Sequence, residues 1–114
     1  MKRIIKSILP SLREKKRYLA YEVISDKSIN ERIAKNAINS YILKFLGELN
    51  YAKAGVMFLN FRNNKGVIKT AHNYVNEVKT AIALIDNIEN NPVNVKSLYV
   101  SGSLSKVFSK TEVN

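Results

Sequence analysis

The chain has no cysteine and a single histidine, His72. The first absence removes disulfides, thiolate catalysis and cysteine-based zinc sites together. It suits a reducing compartment, so a cytoplasmic location is expected. A lone histidine leaves protein-based acid–base cleavage without a second titrating group. Acids are scarce as well: nine Asp and Glu stand against nineteen Lys and Arg, and they are scattered. The nearest groupings are Asp26 with Glu22 or Glu31, and Asp86 with Glu89, too sparse for a two-metal nuclease site. No catalytic residue and no protein-held metal is therefore expected. No run reaches the ~18 consecutive apolar residues of a membrane span. Near the N-terminus Lys6 and Pro10 break up Ile4, Ile5, Ile8 and Leu9, so that stretch does not read as a signal-peptide core. It is weakly amphipathic and basic. Membrane-surface binding or organelle targeting is weighed for it, but docking onto the folded domain is the expected role.

What the chain does have is lopsided positive charge. Residues 1–17 carry seven basic side chains (Lys2, Arg3, Lys6, Arg13, Lys15, Lys16, Arg17) against Glu14, which makes +6 of the formal +10. A second stretch, Tyr51 to Asn76, holds Lys53, Arg62, Lys65 and Lys69 with no acid at all. Such a field attracts a polyanion, and nucleic acid is the commonest one in a cell. At 114 residues, 46% hydrophobic and 9% aromatic, the chain has the content of one globular domain. Folding a chain of this size buries roughly two-thirds of its unfolded surface.

The order of elements follows from periodicity. Residues 17–24 (RYLAYEVI) are rich in aromatic and branched side chains and read as a strand. Ser28 with Glu31 forms a capping box that starts a helix. Its apolar stripe is Ile29, Ile33, Ala37, Tyr41 and Phe45, with Ile38 and Ile42 beside it, and Gly47 is the expected stop. GVMFLNF (55–61) reads as a buried strand. Asn63-Asn64-Lys65-Gly66 is a hairpin turn, returning through VIKTA (67–71). Asn73 is placed to cap a second helix with stripe Tyr74, Val78, Ala81, Ile82, Ile85 and Ile88, ended by Asn90-Asn91-Pro92. VNVKSLYV (93–100) alternates as a last strand. Ser101-Gly102-Ser103 then reads as a turn into a short basic tail. The predicted domain plan is a basic extension over 1–16, a core over 17–100 and a tail over 101–114.

The order β-α-β-β-α-β, with right-handed crossovers, predicts an α+β ferredoxin-like, RNA-recognition-like sandwich. Its four-stranded antiparallel sheet would carry two helices on one face. The other face is left open, to be covered by RNA, a protein partner or the chain's own termini.

The candidate RNA-binding residues are Arg13, Lys15, Lys16 and Arg17 at one rim of the sheet, Arg62, Lys65 and Lys69 in the hairpin, and Lys106 and Lys110 in the tail. Arg can fork onto a phosphate, whereas Lys acts as a point charge. Base stacking by the third strand is not expected: Lys65-Gly66 is followed by Val67-Ile68-Lys69-Thr70-Ala71, with none of the aromatics that RNA-recognition domains place there. Tyr18, Tyr21 and Tyr99 could stack from outer strands, although packing is the expected role of each. Asn63 and Asn64 read as turn residues, and His72 as a strand-to-helix turn residue. Ser101-Gly102-Ser103 is too short for a phosphate-binding loop.

Four stretches carry a family resemblance: LPSLREKKRYLAYEVIS (9–25), GELNYAKAGVMFLNF (47–61), GVIKTAHNYVNEVKTAIALI (66–85) and VSGSLSKV (100–107). In them the chain resembles the ribonuclease P protein component 2 family of archaea, which has eukaryotic relatives. The resemblance implies a noncatalytic subunit of a ribonucleoprotein that removes the 5′ leader of precursor tRNA. It also implies that the RNA subunit carries the chemistry and holds the magnesium ions, and that the partners include ribonuclease P RNA, the barrel-like protein component 3 and other protein subunits. Arg13, Lys15, Lys16 and Arg17 fall on the family's basic lead-in. Lys69 stands where many members have Arg, keeping charge but losing the bidentate fork. Leu46, Leu49, Val56, Phe58 and Phe61 are candidates for core and partner contact.

Two alternatives belong to other classes. A general RNA-binding or ribosomal-type protein would separate by the RNA it retains. A small-ligand regulatory domain of the same fold would want glycine-rich loops, and this chain has four Gly and a strongly basic balance. A stand-alone nuclease would have to act without any RNA cofactor.

Overall fold

The computed structural model describes residues 15–111. Its first element, β1 (Lys16–Ile24), alternates sides as a strand must. Leu19, Tyr21 and Val23 enter one core, and Ala20 enters another on the opposite face. The two Asn of the hairpin turn, Asn63 (φ 54°) and Asn64 (φ 62°), take the left-handed conformation such turns demand. They join β2 (Met57–Arg62) to β3 (Lys65–Ala71).

The first helix, α1 (Glu31–Ala54), starts later than the Ser28 capping box would place it. Asn30 is the cap: its Oδ1 accepts from the Arg32 N–H at 2.9 Å and the Ile33 N–H at 3.3 Å. The reason is tertiary. The Ile29 N–H donates to Asn64 Oδ1 at 2.9 Å, which ties the approach to the hairpin and delays the first turn. The buried centre of α1 is Ala34, Ile38, Ile42 and Leu46. Ile33, Ala37 and Tyr41 flank it, while Phe45, expected in the stripe, is 45% exposed.

Gly47 does not stop α1. It takes φ 81°, ψ 162°, a region open essentially to glycine alone, and the helix bends there and resumes. The bend brings the Tyr51 hydroxyl onto Asn39 Oδ1. A straight helix would set those residues about 18 Å apart along its axis. The second leg is also held by Tyr74 Oη donating to Asn50 Oδ1 (3.1 Å) and Thr70 Oγ1 donating to the Ala54 carbonyl (2.9 Å). The stop is Gly55, left-handed at φ 59°, ψ 46°.

A 3₁₀ turn (His72–Tyr74) precedes α2 (Val75–Ala83), so Asn73 lies inside the turn and no side chain caps the helix. The helix also ends sooner than its stripe suggests. The Leu84 and Ile85 N–H groups tighten onto Ala81 and Ile82 carbonyls, both at 3.2 Å. The chain then folds into a small hairpin, β4 (Asn87–Ile88) and β5 (Asn91–Pro92). Ile85 and Ile88 are still buried. The apolar spacing was a correct sign of burial but not of helix.

β6 (Asn94–Ser101) completes the sheet. The order is β2-β3-β1-β6, antiparallel throughout, which is the expected ferredoxin-like arrangement. The basic tail is not irregular: Leu104–Thr111 forms α3. Ser103 Oγ accepts from the Lys106 N–H at 3.4 Å, so the Ser101-Gly102-Ser103 turn doubles as a helix cap. Leu104, Val107, Phe108 and Thr111 recur at helical spacing, and the first three pack on Tyr18, Ala20, Leu59, Val67, Leu98 and Tyr99. The sheet face opposite α1 and α2 is thus partly covered by the chain's own C-terminal helix.

Candidate nucleic-acid interface

The hairpin that carries three of the candidate cations is anchored by one side chain. Asn64 Nδ2 donates to the Lys27 carbonyl (3.1 Å), its Oδ1 receives the Ile29 N–H, and its carbonyl receives the Val23 N–H at 2.7 Å. This occupies Asn64 as a clamp and holds Arg62 and Lys65 at a set place on the sheet edge.

Strand register then sorts the charges. Residues directly opposite in an antiparallel pair share a face. Arg62 opposes Lys65, Lys65 opposes Glu22, and Glu22 opposes Lys96. One rung therefore crosses all four strands with three cations and one acid, spanning ~14 Å at the usual inter-strand spacing. Lys96 was missed in the sequence reading. The signal was there, since Val93-Asn94-Val95-Lys96 alternates and puts Lys96 on the face away from buried Val95. A second rung runs Met57, Lys69, Tyr18, Ser101. Lys106 and Lys110 are exposed on α3, one turn apart. Lys65 and Lys110, 45 positions apart in the chain, line the same hollow together with Leu98, Tyr99 and Thr111.

The lead-in cations divide. Arg13 lies outside the described residues. Lys15 is exposed, and its carbonyl accepts the His72 N–H at 2.8 Å, which pins the lead-in to the turn after β3. Lys16 is half-buried, with its ammonium 3.4 Å from where a Cβ on Gly55 would sit, beside the C-terminal carbonyls of α1. Arg17 is half-buried too. Its Nη1 donates to the Lys16 carbonyl at 3.0 Å and lies 3.4 Å from a Cβ placed on Gly102. Arg17 thus braces the turn that launches α3.

Tyr21 does not reach the outer face. It is buried on the helix side, its ring 6.4 Å from that of Phe61. Burial pushes its phenol well above the usual tyrosine range, and the Glu31 carboxylate adds to the push. Gly66 leaves room for that ring: a Cβ there would lie 2.5 Å from Tyr21 Oη. Tyr18 and Tyr99 are half-buried under α3. Of the apolar candidates, Leu46 is in the core, Val56, Phe58 and Phe61 are half-buried against it, and Leu49 is 69% exposed. Among the described residues no group of three or more His, Cys, Asp or Glu could hold a metal ion, and no helix is long and apolar enough to cross a membrane.

The profile of the Rpp14/Pop5 family matches residues 17–111, from β1 through α3. The chain is 36% identical to "Ribonuclease P protein component 2" of Pyrococcus furiosus, over 90% of this chain and 87% of that protein. It is 31% identical to the protein of the same name from Methanosarcina mazei, over 93% and 91%. Among solved structures it is similar to a chain in the cryo-EM structure of yeast ribonuclease MRP, with a TM-score of 0.66 covering 88% of this chain and 93% of that one. At 15% identity that last likeness is one of fold.

Proposed function

Because this chain belongs to the Rpp14/Pop5 family, we propose that it grips ribonuclease P RNA through the α3 face of its sheet and supplies no catalytic group. It is a protein subunit of ribonuclease P, part of an RNA-processing ribonucleoprotein. The observation that carries the RNA-gripping surface is the rung that sets Arg62, Lys65 and Lys96 beside a single acid, Glu22, with Lys110 of α3 sharing a hollow with Lys65, Lys106 one turn away on α3, and Lys69 four residues along β3 on the same face.

The physics of such a face is electrostatic. Enzyme RNA and precursor tRNA are both polyanions, and their approach costs repulsion. Lys and Arg side chains displace condensed counterions from phosphates, which favours the folded, closely packed RNA at lower magnesium. In this reading hydrolysis at the 5′ leader is the work of the RNA and the magnesium ions it holds. The protein favours the active conformation of that RNA without touching the scissile bond, in the cytoplasm. Protein component 3 is the proposed neighbour. Exposed Leu49 and edge strand β2, with half-buried Val56, Phe58 and Phe61, offer the apolar contact.

The test is reconstitution of precursor-tRNA cleavage from the RNA, component 3 and this chain at low magnesium. A gain in rate on adding the chain is expected, and no gain over the mixture without it sinks the proposal. Replacing Lys65, Lys96, Lys106 and Lys110 by Gln is expected to flatten the dependence of log K on log salt by up to ~3 in slope. An unchanged slope would place the RNA elsewhere.

A further inference from the structure

We propose that the hollow between α3 and the sheet receives one unpaired RNA nucleotide, its base against Tyr99 and its flanking phosphates against Lys65 and Lys110. The proposal rests on the RNA-gripping role above and adds to it a specific subsite for a single-stranded base.

Three observations carry it. The hollow is open and about 430 Å³ in volume, within the ~300–1,000 Å³ of small-ligand sites. Its lining combines an aromatic ring, an aliphatic side chain, a threonine and two ammonium groups, drawn from β3, β6 and α3. That mixture suits a nucleotide, which presents a flat π-face and negative charge within one residue. Finally, the strand register slips between Ala20 and Tyr21, where Ala20 opposes Tyr99 and Tyr21 opposes Ser97. Leu98 is the extra residue of a bulge, and bulges re-aim side chains beside sites. The slip sets both Leu98 and Tyr99 on the α3 side, where they line the hollow.

The other groups fit. Thr111 Oγ1 donates its proton to the Val107 carbonyl at 2.6 Å, which leaves its oxygen only as an acceptor, able to take an amino or ring N–H of a base. Glu22, opposite Lys65, is balanced by Lys96 on its other side. A duplex is excluded from the subsite because its bases are stacked and paired, so the hollow distinguishes a looped-out or terminal nucleotide from a helix.

The experiment uses the full chain with two probes: a short single-stranded oligoribonucleotide carrying one 2-aminopurine, and a blunt RNA duplex of equal phosphate count. Quenching of the 2-aminopurine on binding is expected for the wild type. Tyr99→Leu should weaken single-strand binding at least about fivefold, as loss of a stacking partner does, with duplex affinity and salt slope unchanged. Tyr99→Phe should retain both quenching and affinity. Lys65→Gln with Lys110→Gln should lower the single-strand salt slope by about 1.4. Unquenched fluorescence in the wild type overturns the subsite without needing any variant, as does equal loss of single-strand and duplex binding in Tyr99→Leu. If neither probe binds at modest salt, the RNA-gripping role itself fails. If the duplex binds and the base is indifferent to Tyr99, only the subsite fails.

Discussion

Gly66→Ala tests how tightly β3 packs against the buried Tyr21 ring of β1. A Cβ at this position would lie 2.5 Å from Tyr21 Oη, 2.7 Å from Tyr21 Cζ and 3.0 Å from the Asn60 carbonyl oxygen. Tyr21 is buried against Phe61, and the space beside its ring is the small hollow it lines with Phe58, Leu59 and Phe61. Forcing a methyl into such packing costs about 1–3 kcal/mol, and two contacts below 3.0 Å put this case near the upper end. Removing a glycine from a strand returns about 0.5–1 kcal/mol. The net expectation is a loss of about 2 kcal/mol, or a Tm drop of roughly 10 °C for a domain near this size. Urea unfolding followed by circular dichroism measures it, with an unchanged m-value confirming that only stability moved. In a Tyr21→Phe background the nearest atom is gone while Cζ and the Asn60 carbonyl remain. The cost should therefore fall by about 1 kcal/mol, a coupling of the size neighbouring residues show. RNA affinity should stay near that of the wild type, since a loss of about 2 kcal/mol leaves the folded state dominant. A Gly66→Ala protein within about 0.5 kcal/mol of wild type, or an equal cost in both backgrounds, would refute the reasoning.

Three further outcomes are expected. Gly47→Ala should cost about 1–3 kcal/mol although no atom lies within 4 Å of the added Cβ, because only glycine takes this φ and ψ comfortably. Denaturant unfolding checks it, and a neutral result would show that the bend is not held. Asn30→Ala should lose about 1 kcal/mol through its two freed N–H groups, while Ser28→Ala, outside the cap, should change little. The raised pKa of Tyr21 means that the unfolded chain loses its phenolic proton first. The contribution of Tyr21 to stability should therefore be full below about pH 10 and be lost as pH rises above it, so the difference in stability between wild type and Tyr21→Phe should shrink above that pH in pH-dependent unfolding.

Much of the fold was legible because it depends on short-range pattern. β1, the Asn63–Asn64 hairpin and the ferredoxin-like order followed from alternation and turn chemistry. The candidate cations Arg62, Lys65, Lys69, Lys106 and Lys110 were legible as charge, but their grouping was not. Lys65 and Lys110 meet only because α3 folds back over the sheet. That helix went unread although Leu104, Val107, Phe108 and Thr111 carry the right spacing, since eight residues are too few for a helix to declare itself without a surface to pack on. Lys16 and Arg17 show the converse. As charge they resemble their neighbours, but one lies beside the end of α1 and the other braces Gly102.

Composition and local periodicity by themselves determined that this chain is a cationic α+β domain with little acid to oppose its charge, because side-chain chemistry and strand or helix period are properties of neighbouring residues. Tertiary structure alone decided that Gly47 bends a helix rather than ending it, that Ile88 is buried from a hairpin, and that one rung of the sheet gathers Arg62, Lys65 and Lys96 around Glu22. Those outcomes depend on which distant groups meet: hydrogen bonds from Tyr74 and Thr70 hold the bent leg, and strand register, which no single segment contains, aligns the charges.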